Sequence, residues 1–232
     1  MGDADLAVIF ADLHRHHVAT PREPLPPPAR GATWIWAGNG IWKRGSSAAL
    51  EALICVCPVT TPGLAELEPS VRWTTHDGRI PGALLAGLLD HARRAGAREG
   101  AVDRPIEQQY FITYQAGAAR PFQVEVPPQR ASATAVDYEL GHLSGVPLVD
   151  LHSHHSLLAY FSPTDDRDDD GLSVSAVVGE IFKRPAIAVR INVYGHHQRV
   201  PAALVFDELP DGLRDTFTSN TRRHSHASAV TP

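Results

Sequence analysis

The sequence predicts an α+β fold: one long helix packed on a mainly antiparallel or mixed sheet, behind a small β-rich N-terminal section. A second helix hidden in the loops would make this an α/β sandwich, a mixed sheet flanked by helices. Three observations carry the prediction. Residues 81–96 alone show strong helical periodicity; seven later segments have strand character and are separated by glycine or proline; and residues 33–45 alternate aromatic and β-branched side chains about a Gly-Asn-Gly turn.

Taken in order, residues 1–30 end in "PREPLPPPARG", a proline-rich stretch that favours extended, solvated chain. They are expected to be flexible, with "ADLAVIFADLHRHHVA" ahead of the prolines a short helix or strand cut off from the rest. Residues 31–80 form the β-rich section. "TWIWAGNGIWKRG" is a hairpin about Gly38, Asn39 and Gly40, where positive φ is tolerated, and "ALEALICVCPV" and "VRWTTHDGRIP" follow as strands. From Pro81 the period changes: Leu84, Leu85, Leu88, Leu89 and Ala92 share one helix face, and Gly96 closes it. The strand segments after it are "EQQYFITYQ", "FQVEV", "TAVDYEL", "VPLVDLHSHH", "LSVSAVVGEI", "AIAVRINVYG" and "RVPAALVFDEL", filling a domain over 81–210. The tail 211–232 is polar and is expected to be flexible.

Composition narrows the function. The 43% hydrophobic content suffices for a sizeable core, and the net charge of −5 without a run of Lys and Arg argues against a general nucleic-acid binder. A protein or small-molecule partner is expected, with no nucleic acid or membrane involved. Cys55 and Cys57, two apart in a β-branched stretch, are poorly placed to pair and read as small apolar strand residues. Neither a signal-peptide pattern nor an apolar run of about 18 residues is present, so a cytoplasmic location is expected.

Two pentads, "LHRHH" at 13–17 and "LHSHH" at 151–155, raise the question of a metal site. With 13 histidines in the chain, His-x-His pairs arise by chance at about 0.7 per sequence of this length, and three occur, so the pair alone proves nothing. Context separates the pentads. The first has no strand feeding it and is read as solvated tail. In the second, Val146, Leu148, Val149 and Leu151 make a buried strand, so His152 and His154 project to one face. "FSPTDD" then brings Ser162 and Asp165, and a loop of that length can fold back to set the carboxylate beside the two imidazoles. Three protein ligands with a fourth tetrahedral position left for water is the arrangement of a catalytic zinc site.

"HSHHSLLAYFSPTD" fits the H-x-H-x(7)-S-x-x-D signature and so resembles the JAB/MPN (JAMM) metalloprotease family in its prokaryotic JAB group. "AGNG", "LEALI", "LAELEP", "INVYGHH" and "PAALVFDEL" add a resemblance to the PRTRC system proteins of that group, over roughly residues 30–210. The resemblance implies one Zn²⁺ per chain and hydrolysis of a peptide or isopeptide bond, with processing or deconjugation of a bacterial ubiquitin-like protein as the expected task and E1-like and E2-like proteins as expected partners. It expects a glutamate on an earlier strand to bind the attacking water. Glu107, at the head of "EQQYFITYQ", takes that place; Glu99, in the loop-like "GAREG", is the alternative. Ser162 is assigned a hydroxyl hydrogen bond to the developing oxyanion. His155 departs from the family, which usually has proline there; it faces away from the ligands and is read as a non-ligand.

Other residues receive plainer readings. Asp166, Asp168, Asp169 and Asp170 form a solvated loop or a helix-capping segment, with a second cation or a basic partner as the alternative. Ser153 and Ser156 are strand and turn residues, and Tyr160 and Phe161 are packing residues. His196 and His197 sit in a turn, and His91 and His142 have no partners in sequence. Two other functions compete. One is a catalytically silent JAB-like scaffold. The other is a PHP-type metal phosphoesterase, suggested by "VDLHSHH" but opposed by the short chain after His154, since that barrel needs several further ligands.

Overall fold

A computed structural model describes residues 15–95, 106–132, 136–139 and 143–217. The first sheet has five strands in chain order: β1 (His16–Val18), β2 (Gly31–Ala37), β3 (Gly40–Ser46), β4 (Leu50–Cys57) and β5 (Ser70–Trp73). The hairpin is present, closed by the Ala37–Gly40 pair. Its glycines serve close approach and not left-handed backbone. Neither Gly38 nor Asn39 has positive φ, whereas a Cβ on Gly38 would stand 2.5 Å from the Leu64 carbonyl oxygen.

The segment before the prolines differs from expectation. Residues 16–18 are not a detached tail: β1 pairs in parallel with β2, and Ala19 is wholly buried. Strand β2 would otherwise present an open edge, and its Trp34 and Trp36 backbone groups bond Arg15 and Ala19. His16 and His17 of the first pentad therefore lie on a strand, with the His17 ring 3.0 Å from the Glu23 carbonyl. His14 lies outside the described residues.

Helix α1 (Leu84–Ala95) buries Leu85, Leu88, Leu89 and Ala92, the face that the leucine spacing marks. Behind it come β6 (Gln108–Tyr114), β7 (Phe122–Glu125), β8 (Gln129–Ala131), β9 (Val136–Tyr138) and β10 (Val146–Ser153). A six-residue helix α2 (Pro163–Asp168) then precedes β11 (Leu172–Gly179), β12 (Ala186–Val193), β13 (His197–Val200) and β14 (Arg214–Asp215). The main sheet runs β13-β12-β11-β10-β6-β7, with β14 beside β12, while β8 and β9 form a separate hairpin. The sheet is mixed, because β10 and β11 are parallel and joined through α2, and the fold is α+β as expected.

One face of this sheet, with Val149, Leu151, Val174, Val189 and Ile191, packs against α1 and against Leu50, Ala52, Ile54 and Trp73 of the first sheet. The β-rich section thus shares its core with the main sheet. The other face of β12 carries Ala186 and Ala188, covered by Ala159 and Phe161.

Two further expectations are corrected. "RVPAALVFDEL" is a strand only to Val200; Pro201 donates no hydrogen bond and begins a 3-10 turn over Ala202–Leu204. Part of the expected flexible tail is structured: β14 at Arg214–Asp215 pairs with Ala186 and Ile187. Residues 218–232 lie outside the described residues. Among the described residues no helix is long and apolar enough to cross a membrane.

Candidate metal centre

Sheet register assembles the centre. Strand β10 pairs antiparallel with β6, setting His152 opposite Gln109 and Ser153 opposite Gln108. The Gln108 N–H donates to the Ser153 hydroxyl at 3.2 Å. Glu107, the residue before β6, therefore arrives beside the end of β10, and its Oε1 lies 4.0 Å from His154 Nε2. The chain turns just after the strand: His154 N–H bonds the Val178 carbonyl and His155 takes a left-handed φ of 42°.

Asp165 comes from the first turn of α2, and the Ser-x-x-Asp spacing that brings it there is a capping box. The Asp165 N–H donates to Ser162 Oγ (3.3 Å), and the Ser162 N–H donates to Asp165 Oδ2 (2.5 Å). One carboxylate oxygen is thereby committed to the cap. The other, Oδ1, faces His152 Nε2 at 3.6 Å.

His152, His154 and Asp165 offer ligand atoms that all lie within 4.8 Å of one another. The donor set fits zinc. The two Nε2 atoms are 3.1 Å apart, and two Zn–N bonds of about 2.0–2.1 Å in tetrahedral geometry separate the nitrogens by about 3.3 Å. His154 Nδ1 lies 3.1 Å from the Leu158 carbonyl, which can only accept, so Nδ1 carries the proton and Nε2 turns a lone pair into the centre. Burial lowers the His152 imidazole to about 4 and also lowers His154, so both rings are neutral at pH 7, the form that can bind a metal. Burial, helped by the Asp165 charge, pushes the Glu107 carboxyl up to about 7, within reach of proton transfer near neutrality.

These groups open into a cavity of about 370 Å³ whose wall also includes Gln109, Tyr138, Asp150, Tyr160 and Ser162. Residues 82–192, from the start of α1 into β12, match the family of prokaryotic homologs of the JAB domain. Over this segment, a little under half of the chain, the protein is similar to that family. No curated protein matches the chain.

The matched segment contains each site residue singled out from the sequence, and the structure brings Glu107, His152, His154, Ser162 and Asp165 together around one cavity. Glu99 and His142 lie outside the described residues. His155 stays apart from the ligand group, buried, with Nε2 lacking a hydrogen-bond partner. Tyr160 is 44% exposed and meets the His154 ring edge-on, so it is a wall of the cavity and not a packing residue only. Phe161 packs against Ala159, Ala186 and Ala188. His91 bonds the Tyr110 hydroxyl. His197 belongs to β13 and lies 3.0 Å from Asn192 Oδ1, while His196 approaches buried Lys43 at 3.2 Å.

Of the two readings of the acidic run, the helix segment holds and the solvated loop does not: residues 163–168 are helical, Asp169 is the C-cap, and Asp166 and Asp169 both receive hydrogen bonds from Arg190. Sequence reading passed over Arg190, although a cation and an amide in the otherwise apolar strand "AIAVRINV" signal a polar partner on one face. It also passed over Asp150. That side chain accepts from Gln109, burial raises it to about 6, and it borders the same cavity.

Proposed function

We propose that the chain is a JAMM-type zinc hydrolase that cleaves a peptide or isopeptide bond, acting on a ubiquitin-like protein with E1-like and E2-like partners. The observation that supports it best is the convergence of three possible ligand atoms within 4.8 Å, with a buried glutamate 4.0 Å from His154 Nε2 in the same cavity. His152, His154 and Asp165 would hold the ion, and the family resemblance supports one zinc per chain.

Zinc held there supplies a water acidified toward neutrality and polarisation of the scissile carbonyl. Glu107 accepts the water's proton and delivers it to the leaving amine, a task suited to a carboxyl with its affinity raised to about 7. The Ser162 oxygen already accepts from the Asp165 N–H, so its own proton remains available to a developing oxyanion. Tyr160 and Tyr138 flank the cavity in which the substrate chain would lie.

The test is cleavage of a C-terminally extended ubiquitin-like protein, followed by mass. Glu107→Gln retains zinc and loses about 10²–10⁴-fold in rate, the usual worth of a general base. Equal activity in the variant contradicts the mechanism. Binding of two or three metals with hydrolysis of phosphoesters contradicts the substrate class.

A further inference from the structure

We propose that Arg190 is a positioning residue: its buried guanidinium, anchored in the middle of the main sheet, sets the place of the metal-binding Asp165 by gripping helix α2 from beneath. This rests on the zinc centre proposed above.

The register explains how a residue 25 positions from Asp165 comes to lie under it. On β10, β11 and β12, Asp150 pairs with Ser175 and Ser175 with Arg190, one polar row across the sheet. The next row of that face, two residues on, begins with His152 opposite Val177. The Arg190 row thus lies directly beneath the histidine row, and α2 lies over both.

Arg190 is 2% exposed, and its hydrogen bonds go to a single short segment. Nη2 donates to the Asp165 carbonyl oxygen (2.7 Å) and to Asp169 Oδ2 (2.6 Å), while Nη1 donates to the Asp166 carboxylate. The Phe161 ring covers the guanidinium at 4.1 Å. Ser175 Oγ adds a bond to Asp169 Oδ2 (2.8 Å), and Asn192 Nδ2 donates to Ser175 Oγ (2.8 Å). A six-residue helix has too few internal hydrogen bonds to hold its own position. Its location must come from this contact, and a planar guanidinium bound to a backbone carbonyl and two carboxylates fixes direction as well as distance. Because the capping box ties the Asp165 carboxylate to the same turn, fixing the turn fixes Oδ1. Asp166 and Asp169 of the acidic run are thus held by an internal cation.

The experiment is a competitive zinc titration at 25 °C on full-length wild type, Arg190→Lys and Arg190→Met, beside melting curves of the metal-free proteins. Lysine keeps the charge but cannot span the three acceptors. We expect both variants to bind zinc 10–100-fold more weakly, as loss of a residue supporting a metal ligand does. Asp166→Asn, which neutralises the most exposed acceptor and leaves the Asp165 contact, stays within about threefold of wild type. A merely structural Arg190 would lower the melting temperature and leave the zinc affinity of the folded protein unchanged, and that result overturns the proposal. If Arg190→Met does not fold, Arg190→Lys decides it. A second readout needs no metal: amide exchange at Asp166 and Asp169 should quicken at least tenfold in metal-free Arg190→Lys, and unchanged exchange overturns the proposal. Wild type that takes up no zinc contradicts the zinc centre itself, a failure distinct from equal affinities in wild type and variant.

Discussion

His155 shows how much a single residue constrains the site. It sits at φ 42°, is 1% exposed, and its carbonyl accepts from the Ile181 N–H. Proline, locked near φ −65°, cannot take that backbone, so His155→Pro should cost at least about 2 kcal/mol, whereas His155→Gly meets no backbone penalty. Urea unfolding of the two variants checks this, and a stable proline variant would show that the turn differs. Acid sensitivity follows from the same residues. Burial holds His152 and His155 at about 4, below the ordinary 6.5, so the folded state favours their neutral forms. Their contribution is complete above pH 6.5 and is lost as pH falls toward 4, at up to about 1.4 kcal/mol per unit for each group. Metal-free protein should therefore show a falling urea midpoint between pH 7 and 5, flattened in His155→Asn. The cluster that could hold a metal, His152, His154 and Asp165, was legible in sequence because its spacing is local. Arg190 was not, because the residues it holds lie 21 to 25 positions away and meet it only through sheet register.

At the scale of elements, the Ser-x-x-Asp spacing does two things at once: it starts helix α2 and it aims the ligand carboxylate. Ser162→Ala should accordingly lose about 1 kcal/mol of stability with the cap. It should also lose about 10²–10³ in kcat if its hydroxyl serves the oxyanion. Ser162→Thr preserves the cap and retains most of both; kcat measured beside the melting temperature separates the two roles. Strands of seven or eight residues, such as β2, β4, β6, β10, β11 and β12, left a readable pattern in the sequence. Strands β1, β8 and β14 have only three, three and two residues, too few for a period of two to show. Helix α2 was hidden for the same reason, its six residues being half acidic with no apolar face.

At the scale of the molecule, among the described residues, the first sheet and the segment that matches the JAB family share one core. Leu50, Ala52, Ile54 and Trp73 belong to the cluster that contains α1 and β10–β12, Lys43 Nζ donates to the Tyr194 carbonyl at 2.7 Å, and the Cys55 N–H donates to Gln198. The sequence change near residue 80 marks a change of architecture, and the family match begins at 82, yet the packing crosses that point. Two consequences are measurable. Trp73→Ala should cost about 3–5 kcal/mol, and a fragment beginning at residue 81 should lose cooperative unfolding, because its sheet would expose the face that β4 covers. A fragment that melts as sharply as the full chain would show two independent units.

Zinc content of the purified full-length protein tests the account most directly, measured beside Asp165→Ala and His152→Ala under the same conditions. About one zinc per wild-type chain, with at least a tenfold loss of affinity in each variant, is the predicted result. No zinc in the wild type, or equal zinc in all three proteins, would contradict it.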